Sequence, residues 1–246
     1  GAEQFSSPNK LIKHLNFYGI NLPVWAEQSG GSIALRALPN ALSTDAFTRN
    51  SVISSTVFNN KVLFFSQDQT MKRFNGITFE SNLPATSKLK PSFGVAIQSR
   101  LAVAGDINRN GIVDISRVDT DATFFQDEPT PITEVTAAGA LDIRNLIGTT
   151  DVIKGLGVIE RSRIAIFTND QCLIYQLNPD FNQWAADDKG SVNVGTFSHN
   201  TIANAGVDLL FCNNYGVYSM RRSDSNGITM YAFPLSSRIE LLYRRL

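Results

Sequence analysis

The sequence predicts an all-β protein, a β-propeller-like stack of antiparallel sheets with a short C-terminal helix. Three observations carry this. One pattern of apolar strand, polar turn, apolar strand, turn and aromatic-bearing strand recurs four times. The second strands of the four copies begin at Lys61, Arg100, Arg163 and Asp208, so they are spaced by 39, 63 and 45 residues; two of the three spacings match the roughly 40–50 residues of a propeller blade. Apolar residues make up 43 % of the 246, with 16 Phe, enough to cover both faces of several sheets. One such unit cannot bury both faces of its own sheet, so several must pack together.

Taken in order, residues 1–50 read as an N-terminal arm and a partial blade. The run Leu11-Ile-Lys-His-Leu15 is compatible with a short helix or a strand. Two semi-apolar segments, 22–25 and 33–35, flank Gly30-Gly31 and read as a hairpin. Repeated blades then occupy residues 51–234. The first copy has strands at 51–58, 61–65 and 71–74, with turns at Asn59-Asn60 and Gln67-Asp68-Gln69. The second has strands at 93–97, 100–104 and 112–116. The long spacing after it holds an insertion at about 126–150, which starts as a loop because of Pro129 and Pro131. Ala140-Leu-Asp-Ile143 reads as an extra strand inside it. The third copy has strands at 153–159, 163–167 and 172–175, and the fourth runs from Thr201 through 208–211 and 216–220, with a turn at Asn213-Asn214. In the last segment, 235–246, the period changes. Ser236 or Ser237 can cap a helix, and Ile239, Leu242, Tyr243 and Leu246 share one face.

Composition narrows the function. Lys plus Arg equals Asp plus Glu at 22 each, which argues against the strongly basic surface that non-specific nucleic-acid binding needs. No apolar run is long enough to span a bilayer as a helix, and nothing resembles a signal peptide. The chain opens at Gly1 rather than Met, as expected of a processed or partial product. Cys172 and Cys212 lie in or beside strands among apolar neighbours and read as free buried thiols rather than a disulfide.

The motifs that could carry chemistry each have a plainer reading. Asp106-Ile-Asn-Arg-Asn-Gly-Ile-Val-Asp114 fits the first nine positions of a calcium loop, but its twelfth position is Arg117 instead of a bidentate acid. With apolar strands on both sides, a hairpin loop is the better reading. Ser66-Gln-Asp-Gln-Thr70 is similar in part to the Ser-x-Asp turn of sialidase-type propellers but lacks the Gly and the closing Thr-Trp, so it reads as a polar turn. His14 and His199 are the only histidines, and neither sits in a nucleophile setting; both read as surface or loop residues. The acid pairs Asp187-Asp188 and Asp119/Asp121 lie in polar, turn-like stretches. No Gly-rich phosphate loop opens a helix. Arg221-Arg222 and Arg244-Arg245 read as solvated or salt-bridged faces. The aromatics Phe74/Phe79, Phe124/Phe125, Phe181/Trp184 and Tyr231/Phe233 read as packing between neighbouring sheets rather than a ligand platform. No catalytic, cofactor or metal residue is therefore assigned, and no enzyme activity is expected.

One resemblance goes further. Ser99-Arg-Leu-Ala-Val-Ala-Gly105, then Val113-Asp-Ile-Ser116 and Asp121-Ala-Thr-Phe124, resemble a run in the β-propeller tail proteins of short-tailed bacteriophages, known as nozzle, hub or stabilisation proteins. Ile153-Lys-Gly-Leu156 and Arg163-Ile-Ala-Ile-Phe-Thr168 look like that family's paired strands. Residues 195–202, Asp208-Leu-Leu-Phe211 and Gly216-Val-Tyr-Ser219 look like its final blade, and Leu235-Ser-Ser-Arg-Ile239 like the phrase that follows. The likeness covers roughly residues 52–239. The family's members are usually longer and carry extra domains that fill the ring. The resemblance implies a structural virion protein made in the host cytoplasm. It implies a homo-oligomeric ring, commonly of six copies, that continues the portal and adaptor channel, carries fibres and passes DNA without sequence specificity. The handles for assembly would be the N-terminal arm, the insertion and the C-terminal segment. The competing reading is a stand-alone propeller that binds carbohydrate or a receptor; it predicts similar aromatic-plus-acid sets in each blade, and the loops differ from blade to blade.

Overall fold

The computed structural model of the chain describes residues 10–18, 22–29, 32–37, 41–48, 52–67, 69–83, 89–128, 134–148, 150–187, 191–206, 208–222 and 230–235. Within them the chain forms five antiparallel sheets of four strands, each following the sequence in simple up-and-down order. Blade 1 comprises β1 (Lys10–Tyr18), β2 (Leu22–Ser29), β3 (Ser32–Ala37) and β4 (Ala41–Thr48). Blade 2 comprises β5 (Ser54–Phe58), β6 (Lys61–Ser66), β7 (Gln69–Phe74) and β8 (Phe79–Leu83). Blade 3 comprises β9 (Phe93–Ile97), β10 (Arg100–Ala104), β11 (Ile112–Ile115) and β12 (Gly139–Asp142). Blade 4 comprises β13 (Gly155–Ile159), β14 (Arg163–Phe167), β15 (Cys172–Gln176) and β16 (Ala185–Ala186). Blade 5 comprises β17 (Ala203–Ala205), β18 (Asp208–Asn213), β19 (Gly216–Arg222) and β20 (Met230–Pro234).

Alternation along the second strands explains the stacking. Successive side chains of a strand point to opposite faces, so a strand buried on both faces reads as one apolar run. On β6, Val62 and Phe64 pack in the layer between blades 1 and 2, with Val24, Ile33, Leu35 and Phe47. Leu63 and Phe65 point the other way, into the layer shared with Leu101, Val103 and Phe124 of blade 3. On β10 the partition repeats: Ala102 and Ala104 join Ile164 and Ile166 of blade 4. On β14, Ala165 and Phe167 turn to Leu209 and Phe211 of blade 5. The core is therefore four apolar layers between consecutive sheets. The first strands lie side by side, β1 by β5, β5 by β9, β9 by β13 and β13 by β17. Close approach at this inner edge demands small residues: a Cβ on Gly157 of β13 would sit 2.6 Å from the Leu209 side chain.

Tight turns set the registers. Asn59 and Asn60 both have positive φ, 46° and 56°, the mirror-image turn whose twist matches a hairpin. Glu160 and Arg161 take the same conformation in blade 4, at φ 49° and 59°. Polar clasps tie neighbouring blades. Asp121, in the connection leaving β11, accepts both contacts of the Arg73 Nη1 at 2.8 Å and one from Lys61 Nζ at 3.3 Å, joining blade 3 to β6 and β7 of blade 2. Arg73 also pairs with Glu80 on β8.

Several expectations are corrected or sharpened. The four strands β1 to β4 form a complete four-stranded sheet, not a partial blade, with Leu11-Ile-Lys-His-Leu15 inside β1 and the expected hairpin realised as β2 and β3. The strand at 140–143 is not an extra one: β12 (Gly139–Asp142) is the fourth strand of blade 3, and the long connection from β11 reaches it. Buried Arg100 holds that connection, donating to the carbonyls of Ser116, Ala137 and Val135 at 2.9, 2.7 and 2.8 Å. The turn of blade 5 falls at Asn214-Tyr215, one residue later than the Asn-Asn pair suggests. The expected C-terminal helix, with Ile239, Leu242, Tyr243 and Leu246, lies outside the described residues, as do residues 1–9 of the arm. Among the described residues no helix is long and apolar enough to cross a membrane.

Candidate functional site

Each antiparallel sheet has two ends, and the end where first strands begin and second strands finish gathers the loops of four blades. Ser54 opens β5 and Ser66 closes β6; Phe93 opens β9, and Gly105 follows β10. Ile153 and Lys154 lead into β13, and Ser198, His199 and Asn200 lead towards β17. These residues surround one cavity of about 470 Å³, with Val52, Gln67, Ser92, Asp106, Ile107, Asn110, Val152 and Phe197 completing its lining. That volume lies in the range of small-molecule sites.

The walls are held by local chemistry. Ser54 Oγ donates to the Ser92 carbonyl and Ser92 Oγ to that of Gly105, both at 2.7 Å, closing the seam between blades 2 and 3. Asp106 caps a one-turn 3-10 segment at 107–109: its two oxygens accept from the backbone N–H of Asn108 at 2.9 Å and of Lys90 at 2.8 Å. His199 stacks on Phe93, with centroids 4.9 Å apart and planes 18° from parallel. Its Nδ1 accepts from the Leu156 N–H at 3.3 Å, which places the proton of the neutral ring on Nε2. Asn200 Nδ2 reaches the Ile53 carbonyl at 3.5 Å and so links the approach to blade 5 with that to blade 2. Next to the cavity, burial would raise the Asp151 pKa, but hydrogen bonds from Thr168, from the backbone of Asn169 and Val152 and from the Asn169 side chain outweigh it and hold it below the usual carboxylate range.

The residues singled out from the sequence separate in space. Asp106 follows β10 and Asp114 lies on β11, its antiparallel partner, the hairpin arrangement. Asp114 is taken by the Arg109 guanidinium at 2.6 and 3.0 Å, and burial raises its pKa against that pull. Asp121 belongs to the Arg73 clasp, while Asp119 sits in a turn at φ 58°. Asp187 lies 3.5 Å from Arg163 Nε; Asp188 and Asp68 are outside the described residues. His199, expected in a loop, is half-buried in the cavity wall, and the His14 side chain is not described. Neither cysteine is in a disulfide; Cys212 is half-buried rather than buried, and Cys172 is buried, which pushes its thiol pKa up. The Phe74 and Phe79 rings, cross-strand partners on β7 and β8, meet tilted at 4.9 Å on the layer between blades 1 and 2, and Phe181 and Trp184, tilted at 5.1 Å, pack on the layer between blades 3 and 4. Phe124 is buried and Phe125 is 46 % exposed. The side chains of Tyr231, Phe233, Arg221 and Arg222 are not described, and Arg244 and Arg245 lie outside.

Sequence reasoning missed the cavity. Its lining is scattered from Val52 to Asn200, and the one local signal is that four connections end next to first strands.

No protein-family model matches the sequence, and no curated protein matches it. Solved structures do. The chain is similar to Raptor of Chaetomium thermophilum, with a TM-score of 0.52 at 13% identity over 88% of this chain and 20% of that one. BamB from Moraxella catarrhalis follows at TM-score 0.49 and 10% identity, covering 86% of this chain and 60% of that one. YCF48 from Cyanidioschyzon merolae gives 0.48 and 9%, covering 91% and 74%. The chain thus spans 60% of the BamB chain and a fifth of the Raptor chain. The neighbours are β-propeller-type proteins, and at such identity the likeness carries the fold alone. With its five consecutive four-stranded sheets, this chain is a β-propeller-type module.

Proposed function

We propose that this module is a structural virion protein of a bacteriophage tail, a nozzle or hub component whose copies form a ring continuing the portal–adaptor channel. The observation that supports it is the position of the phage-like phrases on the sheets. Ser99-Arg-Leu-Ala-Val-Ala-Gly105 covers β10, Arg163-Ile-Ala-Ile-Phe-Thr168 covers β14 and Asp208-Leu-Leu-Phe211 lies on β18, the second strand of three successive blades. Val113-Asp-Ile-Ser116 and Gly216-Val-Tyr-Ser219 lie on third strands, β11 and β19. The ordered phrases thus coincide with equivalent places in a repeated fold. The formal charge of zero suits a channel wall: a strongly basic lumen would hold DNA through counterion release and slow its passage. In this role the protein catalyses nothing, resides in the phage tail and contacts DNA without reading its sequence. The test is genetic. Phage assembled without this chain are expected to form filled heads with truncated tails and to lose infectivity; particles of normal tail length and titre would refute the role.

The second reading, a stand-alone module that binds carbohydrate or a receptor, is favoured by the cavity and the exposed Phe197 at its rim. A glycan array separates the two, since a tail-channel component has no saturable glycan binding.

A further inference from the structure

The cavity at the strand-start end of blades 2 to 5 has a chemistry of its own, independent of any role in a tail. Its lining is mixed: the stacked Phe93 and His199 rings and Ile153 give one apolar wall, Val52, Ile107 and Phe197 stand at the rim, and serine and amide side chains make up most of the rest. Those three rim residues are 70, 67 and 47 % exposed, each from a different connection. An apolar side chain left in water around a concavity is the usual marker of a ligand mouth. Its charge is asymmetric. Among the described residues, two ionisable side chains besides the imidazole line it, Asp106 and Lys154. Asp106 is 6 % exposed and both its oxygens are occupied by backbone N–H groups, so it is used up by the fold. Lys154 has no ion pair or side-chain hydrogen bond among the described residues; its backbone N–H alone is engaged, with the Phe167 carbonyl at 2.8 Å. The Ser54 and Ser92 hydroxyls donate to backbone carbonyls, so neither has a proton to offer.

We propose that this cavity is a binding site for a small organic monocarboxylate with a flat apolar body. The carboxylate meets the Lys154 ammonium, a charge-assisted contact stronger than a neutral one. The body lies between the Phe197 and Ile107 rim and the Phe93–His199 wall. One cation fits one negative charge; a phosphate dianion would need a second cation and would face the Asp106 carboxylate. A neutral sugar would leave the Lys154 charge unanswered.

The experiment titrates indole-3-acetate into the whole chain by calorimetry, beside its neutral isostere indole-3-acetamide. Saturable one-site binding is expected, with the amide weaker by about tenfold. Lys154→Met should weaken the acid by about tenfold and leave the amide unchanged, with the melting temperature preserved because the Lys154 ammonium has no partner among the described residues. Phe197→Ala, at an exposed position, should weaken both compounds. No heat from the wild type up to about 10 mM acid would overturn the proposal. So would equal affinity for acid and amide, or a Lys154→Met protein that binds the acid as the wild type does. If Lys154→Met failed to fold, the acid-to-amide ratio and Phe197→Ala would still decide.

Discussion

At the residue scale, buried charges carry the most testable energetics. Lys72 on β7 is 6 % exposed and its Nζ lies 5.9 Å from the Phe47 ring centroid of blade 1; among the described residues it has no carboxylate partner. Burial holds its pKa below the usual lysine range. Since the folded value is lowered, the unfolded chain binds the extra proton between the two values, and stability rises with pH through that window up to about 10.4. Lys72→Met keeps the stem volume and removes the desolvated charge, so it should stabilise the fold at neutral pH and flatten that alkaline rise in urea melts. A less stable Lys72→Met would show that the cation–π contact outweighs the burial. Asp151 behaves oppositely. Its folded pKa is depressed, so its contribution is complete above the unfolded value of about 3.9 and is lost as pH falls through the folded one. Asp151→Asn should therefore be less stable than the wild type at pH 7, and its acid melts should lose slope below about pH 4. Parallel curves for the two proteins would contradict this.

At the element scale, one close approach fixes how the connection into blade 5 meets blade 4. A Cβ on Gly195 would fall 2.3 Å from the backbone of Thr168 and Asn169, atoms that cannot swing aside. The neighbouring Thr196 N–H bonds the Thr168 carbonyl at 2.9 Å, and its hydroxyl donates to Cys212 on β18 at 2.7 Å. Gly195→Ala should cost about 3 kcal/mol or more by overpacking, whereas Gly206→Ala, with open space at φ +79°, should cost about 1 kcal/mol from its backbone conformation alone. Denaturant melts that rank the two the other way would refute the packing argument. The same physics explains what the sequence made legible. The starts of β6, β10, β14 and β18 fall on Lys61, Arg100, Arg163 and Asp208, because second strands are buried on both faces and show as unbroken apolar runs. Fourth strands were poorly legible: β12 carries the half-exposed Gly-Ala-Leu-Asp and β16 is two exposed alanines, paired through backbone bonds that leave no mark on composition. Blade 1 was legible only as a hairpin, since Pro23 and the polar Glu27-Gln28-Ser29 dilute the period of β2. The Glu160-Arg161 turn carries no Asn or Gly to announce its positive φ; it closes the tight β13–β14 register at Ile159 and Arg163.

At the scale of the whole molecule, the described residues form five sheets that share four apolar layers, and the loops of four blades converge on one cavity. No sequence window contains that site, because propeller-type stacking assembles its end from connections about 40–60 residues apart. The fold itself allows many functions; the tail role rests on the phage-like phrases falling at equivalent strands. The most direct test is the solution mass of the purified chain by light scattering, alone and with a portal–adaptor complex, with images of the same samples. The tail account predicts a closed multi-copy ring, alone or seated on the adaptor, with a lumen wider than the roughly 20 Å of a DNA duplex. A chain that stays monomeric and ignores the portal–adaptor complex would contradict it.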